Sequence, residues 1–280
     1  KNGIGRMVKI LMPMLGFLLI FMVTYAMFNG AFTKALNFLF APDFSNVTSE
    51  TFLSAMGQAF FSLSLGMGSI MAYGAYMPKD QKVVPTSFTV ASLDTLVAML
   101  AGLAIFPIIF AFNLEPNSGP GLVFVSMLSA FNQMQFGQLI GPIFFVLLSI
   151  AALSSSISLL EPGVAYLSEE GYLTRKNSAF AISFFAWSLG LGTALSFNVL
   201  SDFNLTPGRN FLDSMDFIAN QILLPLGGMM IAIFVGWFVK KDLIINEVGY
   251  VNPVIYKLWR FFIKFIAPAS VALIFISQVL

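Results

Sequence analysis

The stretch FFSLSLGMGSIMAYGAY, residues 60 to 76, lies in an apolar run but carries Ser64, Gly66, Gly68 and Ser69 at its centre. An unpaired peptide group in hydrocarbon is costly, so a glycine-rich break persists there only where protein or a water-filled cavity satisfies it. The helix before the break ends in free carbonyls and the helix after it begins with free N–H groups, which places a negative and a positive dipole end around one small volume. That volume suits a molecule bearing both charges. A zwitterionic amino acid is the simplest candidate, its ammonium on the carbonyl end and its carboxylate near the amide end or beside a bound cation. Gly66 and Gly68 also have a plainer reading, close packing of helices, and the motif alone leaves both open.

A second cluster, IAALSSSISLLEP at 150 to 162, places three consecutive serines in another apolar run. Their hydroxyls can cap carbonyls of their own helix, or they can offer oxygens to a hard cation. With no His and no Cys in the chain, a weakly held monovalent ion such as Na⁺ fits better than a transition metal. Glu161, followed by Pro162, adds an acid in or near the membrane, either satisfied by neighbouring backbone or functional. Asp94, in VASLDTLVAML, is a carboxylate inside an apolar helix and requires a cation or a hydroxyl network beside it. Ser62 in the broken run is a hydroxyl that could serve.

The elements that hold these residues follow from composition. Of 280 residues, 58% are hydrophobic and 10% charged, with 32 Phe, more apolar surface than a single soluble core could hide. The absence of Cys and His removes disulfides, thiolate or imidazole metal sites, Ser/His or Cys nucleophile pairs and any imidazole proton relay, so most hydrolytic chemistry is not expected. A net charge of +1 supplies no field for nucleic acid, and the partner this composition implies is the lipid bilayer. Seven apolar runs are long enough to span it, near 7–28, 51–77, 87–112, 138–167, 178–197, 212–239 and 258–279. Residues 29–50 suit a short interfacial helix, and 113–137 a capping loop with a helix of its own.

With residue 1 in the cytoplasm, one side receives Lys1, Arg6, Lys9, Lys79, Lys82, Arg175, Lys176, Lys240, Lys241, Lys257, Arg260 and Lys264, and the other only Lys34 and Arg209. Twelve against two is a strong positive-inside asymmetry. It predicts a multi-pass protein of the cell membrane with the N-terminal end of this chain cytoplasmic. Residues 1–280 are expected to form a single transmembrane domain, and a chain opening at Lys1 without Met is expected to be a piece of something longer.

Four motifs in order, GQAFFSLSLGMGSIMAYGAY, LDTLVAMLAGLAIFP, LSSSISLLEP and FLDSMDF, resemble the neurotransmitter:sodium symporter family, specifically its bacterial amino-acid members. The resemblance runs from residue 1 to residue 280. It implies an all-α, broken-helix, inverted-repeat bundle of the leucine-transporter type, with this chain matching helices five to eleven and the first four missing. It also implies which residues act. Phe61 would lid the substrate, and Ser64, Leu65, Gly66 and Met67 would form half of its site, with Met67, Ser155 and Leu159 around its side chain. One sodium site would use Ser62 and Asp94, the other the Ala151 carbonyl with Ser154 and Ser155. Asp94 departs from the Asn of many members, which leaves chloride dependence open. Asp216 would serve an external gate with an Arg on the missing first helix, and Tyr76 and Glu169 a cytoplasmic one.

The expected function is sodium-coupled symport of an amino acid, hydrophobic or aromatic, by alternating access. A channel would need a continuous polar stripe, whereas these spans confine polar groups to mid-depth. A structural or assembly subunit, its Gly and Ser serving only packing, is the other alternative.

Overall fold

The computed structural model describes the chain apart from residues 1, 79, 117–118, 197, 202, 207, 249–251 and 280, and apart from the side chains of 2–5, 49–50, 53, 120, 274 and 277–279. Among the described residues it is helical, with no strand. In chain order the helices are α1 (Asn2–Asn29), α2 (Phe32–Phe40), α3 (Ser49–Ser62), α4 (Ser69–Tyr76), α5 (Val83–Ala111) and α6 (Leu122–Gln133). They continue with α7 (Gly137–Glu169), α8 (Arg175–Ala194), α9 (Phe211–Phe238) and α10 (Lys241–Val248). The last, α11, runs as α-helix Pro253–Phe261, π-helix Phe262–Ile266 and α-helix Ala267–Val279.

Four expected spans stand as helices long and apolar enough to cross a membrane: Arg6–Asn29, Val83–Ala111, Gly137–Glu169 and Phe211–Phe238. The run 51–77 is the broken pair α3 and α4, 178–197 falls largely on α8, and 258–279 on α11. The expected short helices at 29–50 and 113–137 are α2 and α6.

The chain divides into two compact units, residues 1–46 with 90–157 and residues 47–89 with 158–280. In the first, α1, the distal part of α5, α6 and the start of α7 share an apolar core with Met22, Ile108, Ile109 and Met127 fully buried. The corner between α1 and α2 is set by Gly30: a Cβ there would meet the Pro107 Cβ at 2.7 Å. The Ala31 N–H donates to the Pro107 carbonyl at 2.9 Å, so the corner docks on the backbone of α5.

In the second unit, α3 opens with a capping box in which Thr48 and Thr51 exchange side-chain and backbone hydrogen bonds. The α8–α9 connection is closed by Ser196, whose hydroxyl accepts from the Leu212 N–H at 2.9 Å, and by the ring of Phe211 lying on Gly192. Two π-helical segments, Phe217–Leu223 and Phe234–Phe238, flank an α-helical stretch of α9 that contains Gly227 and Gly228. On α8, Phe180, Phe184, Phe185 and Trp187 are all exposed, which is the surface a lipid-facing helix presents.

Candidate functional site

The break between α3 and α4 is built by three residues with positive φ. Ser64 has φ 53°, Gly66 90° and Gly68 80°, so the chain turns left-handed at every second position. The Phe60 and Phe61 carbonyls, at the end of α3, accept from the N–H groups of Leu65 and Ser64 at 2.9 and 3.0 Å. The Phe61 carbonyl also accepts from the Leu63 N–H. Phe61 is exposed, and Ser64, Gly66 and Met67 are half-buried.

The break rests on α9, backbone against backbone. A Cβ on Gly66 would lie 2.4 Å from the Leu224 oxygen and 2.7 Å from the Gly228 nitrogen, so Gly66 sits directly over one rung of the α9 ladder. A Cβ on Gly227 would in turn lie 2.4 Å from the Gly66 oxygen, and one on Gly228 would meet the ring of Phe60 at 2.7 Å. The packing reading of Gly66 is thus seen directly: the break is seated on Gly227 and Gly228. The role of this pair is missed by sequence reasoning, though the Gly-Gly step inside an apolar helix was a visible signal.

After the break, Ser69, Tyr73 and Tyr76 fall on one face of α4, and the two tyrosines meet the distal part of α7. The Tyr73 hydroxyl bonds the Ser158 hydroxyl, and the Tyr76 hydroxyl donates to Glu161 Oε1 at 2.9 Å. Where α4 begins, the Cβ position of Gly68 is 3.4 Å from Pro162. Ser69 is buried, and its hydroxyl has no hydrogen-bond partner among the described residues.

Glu161 is also buried, and Arg175, at the start of α8, reaches both its oxygens through Nη2 at 2.7 and 2.8 Å. This hydrogen bond to Glu161 raises the Arg175 pKa above its ordinary value, against the opposing effect of burial. A single carboxylate thus ties α4, α7 and α8 together. Neither Arg175 nor Tyr73 was singled out as a site residue from the sequence; the signal for Arg175 was that an acid in an apolar run, Glu161, requires a partner. Glu169, expected with Tyr76, lies at the exposed end of α7, about two turns beyond Glu161.

In the serine cluster, hydroxyls bond carbonyls of their own helix. Ser154 is buried and its hydroxyl donates to the Ala151 carbonyl at 2.8 Å. Ala151 and Ser154, two of the expected sodium ligands, are thereby brought together. Ser155 is exposed, as is Leu159. Among the described residues no three Asp, Glu, His or Cys side chains converge to hold a metal ion. Asp94 is half-buried on α5; it belongs to the first unit with Ala151, Ser154 and Ser155, whereas Ser62 belongs to the second.

Asp216 is exposed at the start of α9, where its Oδ1 accepts from the Asn220 amide at 2.7 Å. Beside it, the Arg209 guanidinium lies 3.8 Å from the centroid of the Phe217 ring.

Comparison with known proteins places this geometry. The model of the sodium:neurotransmitter symporter family matches residues 2–280. The uncharacterized sodium-dependent transporter YhdH of Bacillus subtilis (strain 168) is 32% identical over 100% of this chain and 62% of its own length. Sodium-dependent nutrient amino acid transporter 1 of Drosophila persimilis is 26% identical over 92% of this chain and 40% of its own. The crystal structure of MhsT in complex with L-phenylalanine is 44% identical, with a TM-score of 0.86 over 99% of this chain and 63% of that one. The chain thus spans less than two thirds of the length of each of these relatives. The all-α fold with a broken helix is that of the leucine-transporter type, in a multi-pass membrane protein. On the match over residues 2–280, the chain belongs to the sodium:neurotransmitter symporter family.

Proposed function

We propose that the protein containing this chain is a sodium-coupled symporter of a hydrophobic or aromatic amino acid, working by alternating access in the cell membrane. The observation that carries the reading is the break at Ser64–Gly68, held open by three left-handed residues and seated on Gly227 and Gly228. The open carbonyl end of α3 receives the substrate ammonium at Phe61 and Ser64. Phe61 covers the ligand, Leu65 and Gly66 complete the wall, and Met67, Ser155 and Leu159 surround the side chain. Met67 is an adaptable, unbranched group, suited to a roomy apolar pocket. That MhsT was crystallised with L-phenylalanine supports the same class of substrate here.

Sodium is carried at two sites, one using Ser62 and Asp94, the other Ala151, Ser154 and Ser155. The names of the relatives support sodium as the coupling ion. About 2.3 kcal/mol per charge per 100 mV is available from the membrane potential to drive accumulation. Residues 1–280 act as one transporter domain together with N-terminal helices of the same protein, with residue 1 cytoplasmic. Asp216 serves the outer gate and Tyr76 and Glu169 the inner one.

The test is uptake of the twenty amino acids by the full-length protein in vesicles, with and without an inward Na⁺ gradient. Sodium-dependent accumulation of Phe, Tyr, Trp, Leu or Ile is the expected result. Conduction of ions without substrate, or no substrate-linked Na⁺ binding at all, refutes it.

A further inference from the structure

The cytoplasm-facing end expected for α9 and α11 carries five basic residues, Lys240, Lys241, Lys257, Arg260 and Lys264, within one stretch of the chain. The positive-inside rule explains basic residues in a loop, but not how three of them are held here. Arg260 is half-buried; its Nη2 donates to the Val239 carbonyl, where α9 ends, at 3.1 Å, and its Nη1 to the Tyr256 hydroxyl at 2.5 Å. The Lys241 ammonium lies 5.5 Å from the centroid of the buried Tyr256 ring. Lys264, about one turn beyond Arg260 on α11, is half-buried, with its ammonium 4.7 Å from the centroid of Trp237.

Gly236 makes room for Lys264: a Cβ there would meet the Lys264 Cγ at 3.0 Å and Cα at 3.2 Å. Among the described residues these cations rest on ring faces, a hydroxyl and a carbonyl, and the one ion pair found, Arg175–Glu161, lies elsewhere. The acids of the connecting helix, Asp242 and Glu247, are exposed and leave the stretch net positive.

The cations adjoin an apolar strip. Trp237 meets Phe265 edge to face at 5.6 Å, and Phe265 meets Phe261 at 5.4 Å. All three rings are exposed, as is Phe262 beside them. Fixed positive charge bordering exposed aromatic surface is complementary to a molecule with an anionic head and an apolar tail.

We propose that Lys241, Arg260 and Lys264, with Trp237 beneath them, form a binding site for the phosphate headgroup of an anionic phospholipid of the inner leaflet. Arg260 and Lys241 contact the phosphate, Lys264 reaches it from the membrane side, and an acyl chain lies along Trp237, Phe265 and Phe261. Positive charge at the bilayer surface attracts such lipids generally, whereas a fixed cluster retains them selectively.

The experiment is native mass spectrometry of the full-length protein extracted from vesicles of phosphatidylcholine mixed with phosphatidylglycerol. The wild type is expected to retain phosphatidylglycerol over phosphatidylcholine. Lys241→Gln with Lys264→Gln is expected to lower that retention at least several-fold, Lys264→Arg to preserve it, and Lys9→Gln with Lys82→Gln, removing as much charge elsewhere, to leave it unchanged. Excess inorganic phosphate is expected not to displace the lipid. Equal retention of both lipids, an equal loss in the Lys9 and Lys82 variant, or displacement by phosphate alone overturns the proposal. Uptake and elution volume of each variant show that it is folded.

Discussion

The guanidinium of Arg175 grips both oxygens of the buried Glu161 carboxylate, at 2.7 and 2.8 Å, while the Tyr76 hydroxyl donates to one of them at 2.9 Å. Three helices therefore meet at one carboxylate. A buried acid tolerates the loss of one of two partners badly, because the charge is left without compensation. Arg175 is itself about half exposed, its side chain at 46%, so solvent offsets part of the loss. Arg175→Ala is expected to lower stability by about 1–2 kcal/mol and Tyr76→Phe by about 1 kcal/mol. A double-mutant cycle of Tyr76→Phe with Glu161→Gln, followed by thermal unfolding in detergent, checks the link. Additive effects would show that the tyrosine and the acid do not act together.

Glycine at 66 is required twice over, by its φ of 90° and by the Leu224 oxygen 2.4 Å from where a Cβ would sit. Gly66→Ala should therefore cost at least about 2–3 kcal/mol or prevent assembly. Gly227→Ala should behave alike, since its Cβ would meet the Gly66 oxygen at 2.4 Å. Gly74 on α4 is the control: nothing lies within 4 Å of its Cβ position, so Gly74→Ala should be neutral or stabilising by up to about 1 kcal/mol. Melting temperatures of the three variants, compared side by side, decide it.

Ser154→Ala together with Ser155→Ala removes two of the proposed sodium ligands. Removing a hydroxyl ligand costs about 1–2 kcal/mol, so the Na⁺ concentration for half-maximal uptake should rise about tenfold or more. An unchanged sodium dependence would return these serines to a purely helical role, as the Ser154 bond to Ala151 already permits.

Met67→Phe replaces a flexible side chain with a rigid ring in the proposed pocket. The set of amino acids competing for uptake should contract toward smaller side chains. A competition profile identical to that of the wild type would remove Met67 from the pocket.

The sequence by itself located the apolar runs, four of which stand as helices long enough to cross a membrane, because runs of that length have few other uses. It also located the break at 64–68, since glycines and serines at the centre of such a run demand compensation. Motif order identified the family that the match over residues 2–280 shows. What it left open was what Gly66 packs against, and which groups satisfy Glu161. Those answers depend on residues far away in the chain, the Gly227–Gly228 step under Gly66 and the arginine 14 positions beyond Glu161. Helical periodicity says which face a residue occupies but not which face it meets. Only the packing of α4, α7, α8 and α9 decided that the break is seated on a helix whose backbone it touches, and that one carboxylate joins three helices.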